Sequence, residues 1–189
     1  MSKKNYVSLI EKIVKSRCKK QKELLNYHII PAVEYAYQLV DIVESDKEIA
    51  ILGTWLHDIS KISWYSKPKR DRNNHHINGS KESGRILSKL GYDPLRTKLV
   101  QECVLRHSTD KRYHPKTIEE KIVVSADSLS HLYNVPRLCK QAYSNNTSSI
   151  KDDTEWLINK CENLIAKMEI PEARNMAIKR YEQIKQLFS

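Results

Sequence analysis

Apolar residues recur with a helical period of about 3.6 through most of the chain, and this pattern restricts the fold more than any other feature. From Pro31 to Val43 they fall at three- and four-residue spacings, as on the buried side of an amphipathic helix. Further helices are predicted at about 46–61, 76–90, 94–107, 117–133, 136–144, 152–168 and 171–187. No segment shows sustained strand-like alternation between turn signals. The sequence therefore predicts an all-α fold.

Two segments, 63–74 and 144–149, lack this period and are predicted to be connecting loops. A chain of 189 residues, 40% of them apolar, is long enough to bury a sizeable core. We expect residues 1–189 to form a single domain. The sequence leaves the oligomeric state open, including a homo-oligomer.

The charge balance favours an acidic partner. Lys and Arg number 33 against 23 Asp and Glu, which gives a net charge of +10. Such a balance suits a phosphorylated small molecule, nucleic acid or an anionic membrane surface. No stretch approaches the ~20 apolar residues of a membrane span, and the first residues lack the apolar run of a secretory signal. The four cysteines form no C-x-x-C pair, so we expect reduced thiols in a cytoplasmic protein.

Acidic residues and histidines in apolar surroundings indicate a metal site. His57 and Asp58 end an apolar segment, and Asp127 lies within another, between Ile122 and Leu129. A buried carboxylate without a partner costs several kcal/mol, so a cation is expected beside each acid. Imidazole and carboxylate groups are the natural ligands of Mn, Fe, Co, Ni or Zn. The sequence therefore predicts a shared divalent metal.

The ordered set of these residues resembles the HD-domain superfamily of metal-dependent phosphohydrolases. Residues 56–61 read L-H-D-I-S-K, similar to the L-H-D-I-G-K signature of that family, with Ser60 in place of the glycine. His28 matches the histidine that precedes the signature. The resemblance covers about residues 22–135, the motif-bearing core, and leaves additional C-terminal helices at about 136–189. It implies a single HD-domain helical bundle.

Three later motifs follow in the same order. His75 stands four residues before Gly79, as in the H-x-x-x-G motif, whereas His76 is one residue too close. His107 matches the histidine of I-x-x-H. Asp127 matches the last acid of D-A-D-x-L, although Ser125 replaces the first one.

The resemblance also implies a role for each matching residue. One divalent ion would be held by His28, His57, Asp58 and Asp127. Two middle histidines, His75 and His107, would hold a second ion bridged by Asp58 or, without it, would contact the substrate phosphate. Asp58, His75 and His107 are therefore the predicted catalytic residues. The sequence leaves open whether one or two ions bind.

Basic residues near the signature are candidates for substrate binding. Lys61 is three residues after Asp58, so a helix would place both on one face. The loop that follows carries Lys67 and Arg70 among other cations and returns to His75. We therefore expect Lys61, Lys67 and Arg70 to bind phosphate. The N-terminal residues 1–22 carry a net charge of +7, and their role stays unassigned.

Three functional hypotheses follow. The first is a phosphohydrolase that cleaves an ester or anhydride bond of a small phosphorylated metabolite, most simply a nucleotide, with metal-activated water. The second is a di-iron oxygenase on the same scaffold, which the six-residue ligand set permits. The third is a non-catalytic binding or regulatory module that contacts nucleic acid. Asp58 and Asp127 argue against it, since a site that has lost catalysis has no physical reason to keep two acidic residues in the core. His114 and His131 have no role assigned by the sequence.

Overall fold

Helices joined by short turns account for the chain wherever the computed structural model describes it, in residues 4–66, 74–108, 110–144 and 149–188. The α-helices are α1 Tyr6–Arg17, α2 Lys22–Leu24, α3 Ile30–Ile42, α4 Lys47–Leu56, α5 His75–Lys89, α6 Pro94–Arg106, α7 Ile118–Leu132, α8 Val135–Tyr143, α9 Ile150–Ala166 and α10 Pro171–Leu187. No strand occurs in these ranges. The all-α prediction is confirmed.

Two helical segments of other types shape the region around the signature. A π-helical segment, Leu25–Ile29, connects α2 to α3, and a 3₁₀ segment, Ile59–Ser66, follows α4. The predicted helix over 46–61 therefore ends earlier, at Leu56. The predicted loop over 63–74 is helical in its first residues for the same reason: the backbone continues from α4 in a tighter helix.

Helix α4 lies at the centre of the core, and all its residues from Ile49 to Leu56 are buried. It packs against α1, α3, α6 and α7. The contact with α6 is close because Gly53 has no side chain: a Cβ there would lie 2.7 Å from the Cβ of Cys103. The start of α4 is fixed by Asp46, whose side chain accepts from the backbone N–H of Ile49.

Helix α7 lies beside α4 and packs extensively on α3. A capping box fixes its start: the Thr117 side chain accepts from the backbone N–H of Glu120, and the Glu120 carboxylate accepts from that of Thr117. Helices α5 and α6 pack on each other, and α6 also contacts α4 and α7. The end of α4, the start of α5, the end of α6 and the middle of α7 therefore lie close together.

The C-terminal helices cover one side of this arrangement. Helix α8 packs on α9, α9 packs on α10, and α7 contacts all three. Their bounds agree with the predicted ones to within two residues. Across the described ranges, no helix combines the length and apolar character that crossing a bilayer requires.

Candidate metal centre

Six side chains, distant in sequence, meet where these helix ends converge. One donor atom from each of His28, His57 and Asp127 lies within 4.8 Å of the others, and we call this set the first triad. The same holds for Asp58, His75 and His107, the second triad. The structure thus brings together all six residues that the sequence predicted as metal ligands.

Local helix geometry delivers each of these side chains to the centre. His28 belongs to the π-helical segment, and Asp127 projects from α7. His57 and His107 cap the C-terminal ends of α4 and α6, and His75 is the first residue of α5. Helix ends leave backbone groups without helical partners, and the side chains there have more freedom of direction than in a helix interior.

Ser60 fixes the position of His75 relative to the signature. Its hydroxyl donates to the carbonyl oxygen of His75 at 2.8 Å. Gly79, one turn later in α5, lets that helix approach α6 closely, since a Cβ there would lie 3.2 Å from Cγ1 of Val104. The serine in the place of the family's glycine therefore ties the start of α5 to the residues after α4.

The ring nitrogens that face away from the centre are engaged by backbone carbonyls. Nδ1 of His57 donates to the carbonyl oxygen of Thr54 at 2.7 Å, and Nδ1 of His107 donates to that of Val104 at 2.6 Å. A carbonyl only accepts, so the hydrogen-bond network assigns the proton of each ring to Nδ1. The Nε2 lone pairs of both rings are therefore directed at the centre.

Ser130 assigns the same tautomer to His28. Its hydroxyl donates to the carbonyl oxygen of Asp127 at 2.7 Å, so it accepts from Nδ1 of His28, 2.9 Å away. A ligand histidine commonly donates its second N–H to an oxygen in this way, which fixes the orientation of the ring. Ser130 was not singled out by the sequence, because its role depends on an α7 position that faces the π-helical segment.

Burial keeps these imidazoles neutral. His28 and His57 are fully buried, and burial lowers the pKa of both, that of His57 to about 4. Burial, Lys61 and His107 together lower the pKa of His75 to about 2. A neutral imidazole is the form that ligates a metal.

Two carboxylates complete the donor set in ionised form. Burial alone would raise the pKa of Asp58, but Lys61 and His57 more than offset this effect and hold it well below its usual range. Lys61 Nζ lies 2.7 Å from Oδ1 of Asp58. Burial likewise acts to raise the pKa of Asp127, and the surrounding histidines, His131 first among them, bring it well below its usual range.

Two donors of the first triad face each other without a proton between them. Nε2 of His28 lies 3.1 Å from Nε2 of His57, and both rings carry their proton on Nδ1. Lone pairs held this close repel one another, and buried carboxylates add negative charge. A divalent cation removes both costs, so the donor set fits one.

The remaining histidines lie in different surroundings. His131 Nε2 is 3.6 Å from Oδ1 of Asp127, so this histidine adjoins the first triad. His76 is buried but turns toward Tyr113, with ring centroids 4.9 Å apart. His114 is exposed and pairs with Glu169 at 2.8 Å. Of the adjacent pair His75 and His76, it is therefore His75 that contributes to the centre.

The predicted substrate-binding residues are described only in part. Lys61 lies beside Asp58, as expected, although the backbone between them is a 3₁₀ turn closed by a bond from Lys61 N to Asp58 O of 2.9 Å. Lys67 and Arg70 lie outside the described residues.

Comparison with known proteins agrees with this centre. The HD domain family model matches residues 25–132, more than half of the chain, and the chain belongs to this family. A Bacillus subtilis (strain 168) protein named "Putative phosphohydrolase YueE" is 32% identical, over 54% of this chain. The match spans 63% of that relative's length. No solved structure gives a significant match.

Two basic residues near the centre come from beyond the matched region and were missed by the sequence analysis. The charge of Arg137, at the start of α8, acts on Asp58 and Asp127. That of Lys167, which follows α9, acts on the same two carboxylates. No local motif marks either residue, since their proximity arises only from the packing of α8 and α9.

Proposed function

We propose that the protein is a metal-dependent phosphohydrolase that acts on a small phosphorylated metabolite. The observation that carries this proposal is the meeting of two donor triads, with Nε2 of His28 only 3.0 Å from Oδ2 of Asp58. One carboxylate thus lies at the boundary of both triads. Such an arrangement suits two cations held side by side around a phosphoryl group.

The roles we assign follow the two triads. His28, His57 and Asp127 would hold one ion, His75 and His107 the other, and Asp58 would bridge them. A bound divalent metal at such a site lowers the pKa of water toward ~7 and withdraws charge from phosphoryl oxygens.

The protonation of the rings supports ligation by His75 and His107 rather than proton donation. A leaving-group acid must carry its proton at the atom that faces the substrate. Nε2 of His107 carries a lone pair instead, because its proton lies on Nδ1, 2.6 Å from the Val104 carbonyl. The pKa of about 2 for His75, lowered by burial, likewise argues against a cationic ring.

Lys61 would contact a substrate oxygen. Its ammonium group is anchored by Asp58, at 2.7 Å, and its side chain retains 21% exposure. An anchored cation at the rim of a metal centre can bind a phosphate oxygen without losing its position. Its positive charge also keeps Asp58 ionised, which a bridging ligand requires.

A nucleotide is the substrate class we favour, and the cytoplasm is the compartment. The chain carries a net charge of +10, which suits a polyanionic small molecule beside a metal centre. The cysteines at positions 18, 103, 139 and 161 are free thiols, as in proteins of a reducing compartment.

The test is phosphate release by the full-length protein with Mn²⁺, Co²⁺ or Ni²⁺ across a panel of nucleotides. We expect turnover, and we expect Asp58→Asn to abolish it and to lower the number of metal ions per chain. Asp41→Asn is the matched control, since Asp41 is exposed and pairs only with Lys47 in the described structure.

Failure to hydrolyse any phosphorylated compound with any metal would overturn the proposal. Oxygen consumption by the iron-loaded protein would favour the di-iron oxygenase. Salt-sensitive nucleic-acid binding that persists in Asp58→Asn would favour the non-catalytic module.

A further inference from the structure

A cavity of about 700 Å³ is lined by residues that follow α6, by α7 and by the C-terminal part of α9. Ser108, which follows His107, and Val124, one turn before Asp127, form part of its wall. Lys160 and Lys167 also line it. Its volume is in the range of small-molecule sites, which is about 300–1,000 Å³.

The acidic residues of this cavity are already paired with cations. Glu169 lies 2.9 Å from Lys121 Nζ and 2.8 Å from His114 Nε2. Asp110 pairs with Arg112 at 2.6 Å. These ion pairs leave little negative charge to attract the cavity's lysines.

Neither Lys160 nor Lys167 forms a salt bridge with any residue of the described ranges. Lys167 is partly buried, and burial lowers its pKa while the charge of Asp127 raises it. The charge of Lys160 lowers the pKa of Lys167 and that of His131. Two lysines that line one cavity and form no salt bridge with a described residue there provide a binding site for an anion, although the charge of Lys167 also acts on Asp127 and Asp58.

The position of the cavity decides which anion fits. In the proposed function the donor triads and Lys61 bind one phosphoryl group. The two lysines line a separate cavity, whose wall includes Pro115 and Ala166, and the charge of Lys167 acts on Asp127 of the first triad. A ligand that fills both places carries two anionic groups joined to an organic part.

We propose that this cavity binds the second anionic group of the substrate through Lys167 and Lys160, so that the substrate is an organic phosphate with at least two anionic groups, such as a nucleoside diphosphate. This inference rests on the proposed function. It assigns substrate selection to α9, which lies outside the matched residues 25–132.

The test is calorimetric titration of the Mn²⁺-loaded full-length protein with α,β-methylene-ADP and with orthophosphate. We expect Lys167→Met to weaken binding of the nucleotide analogue about tenfold, as for the loss of one charge-assisted bond. Binding of orthophosphate, which needs only the metal centre, should change less than twofold. Lys167→Arg should restore most of the affinity for the analogue.

Lys151→Met is the matched control, because Lys151 lies exposed at the start of the same helix. We expect it to bind both ligands like the wild type. Thermal melting checks that Lys167→Met folds, since a lysine at the end of a helix also interacts with the helix dipole. If Lys167→Met does not fold, Lys160→Met provides the same comparison between the two ligands.

Equal affinity of Lys167→Met and wild type for the analogue would overturn the inference, as would an equal loss for both ligands. The outcome is separate from that of the proposed function. Phosphate release that requires Asp58, together with unchanged binding in the lysine variants, leaves the function standing and removes only the second anionic subsite.

Discussion

Nε2 of His28 lies 3.0 Å from Oδ2 of Asp58, although the two residues come from different helical segments. The imidazole reaches this carboxylate because its opposite nitrogen is held by Ser130. The orientation of this ring therefore depends on Ser130, a residue that is not itself a metal donor. This dependence leads to the first prediction.

Ser130→Ala should weaken metal binding by about 10- to 100-fold, because His28 loses the oxygen that fixes its tautomer and orientation. Competition with a fluorescent chelator measures this affinity in the full-length protein. Ser128→Ala is the control, since the Ser128 hydroxyl is buried in the same helix and has no hydrogen-bond partner among the described residues. Wild-type affinity in Ser130→Ala would contradict the assignment.

The metal-free protein should lose stability as the pH falls from 7 to 5. Folded His57 stays neutral because burial lowers its pKa to about 4, whereas the unfolded chain takes up a proton below about pH 6.5. Protons therefore favour the unfolded state, by about 2 kcal/mol at pH 5 for this residue. His28 and His131, whose pKa values are also lowered by burial, act in the same direction.

Urea unfolding with a chelator present, at pH 7, 6 and 5, gives the free energy of unfolding at each pH. The ionised Asp58 and Asp127 do not affect this window: their pKa values lie below the usual range, so the stability they contribute is lost only below about pH 4. A free energy of unfolding that stays constant from pH 7 to 5 would refute the prediction.

Gly53→Ala should destabilise the fold by about 1–3 kcal/mol, the usual cost of overpacking a core. The new Cβ would lie 2.7 Å from the Cβ of Cys103 and 3.1 Å from Cγ2 of Val123, so α4 and α6 would have to move apart. Gly84→Ala is the control: the atoms nearest its Cβ belong to the flexible end of the Gln101 side chain, which can move aside with the loss of its hydrogen bond to the Ser80 carbonyl oxygen.

Urea denaturation of the two variants provides the comparison. We expect Gly84→Ala to be close to neutral, because alanine favours a helix over glycine by up to about 1 kcal/mol, which offsets the loss of one hydrogen bond. Equal changes in the free energy of unfolding of the two variants would contradict the prediction, since the contact between α4 and α6 would then tolerate a Cβ at position 53.

The sequence predicts the helices well because each helix buries one apolar face, which requires apolar residues at a regular helical spacing. The predicted and observed starts of α6 and α10 coincide at Pro94 and Pro171, where proline suits the first turn. The end of α4 at Leu56 was not predicted, since the periodic pattern continues while the backbone tightens into a 3₁₀ helix.

The candidate donors could be predicted because their order matches known motifs, whereas their supporting residues could not. Ser130, on α7, acts through its contact with His28 in the π-helical segment, and Lys167 acts through the packing of α9 on α7. Such contacts join residues about 40 to 100 positions apart, and no local pattern encodes them. Only the folded chain brings these residues together.

The donors extend from position 28 to position 127 and come from five separate helical segments. No fragment of the chain that lacks one of these segments contains the complete set. Because the donor set exists only after these helices have packed, the metal content of a purified sample would count its correctly folded molecules. A simple elemental analysis would then serve as a measure of folding quality for every variant described above that retains its donors.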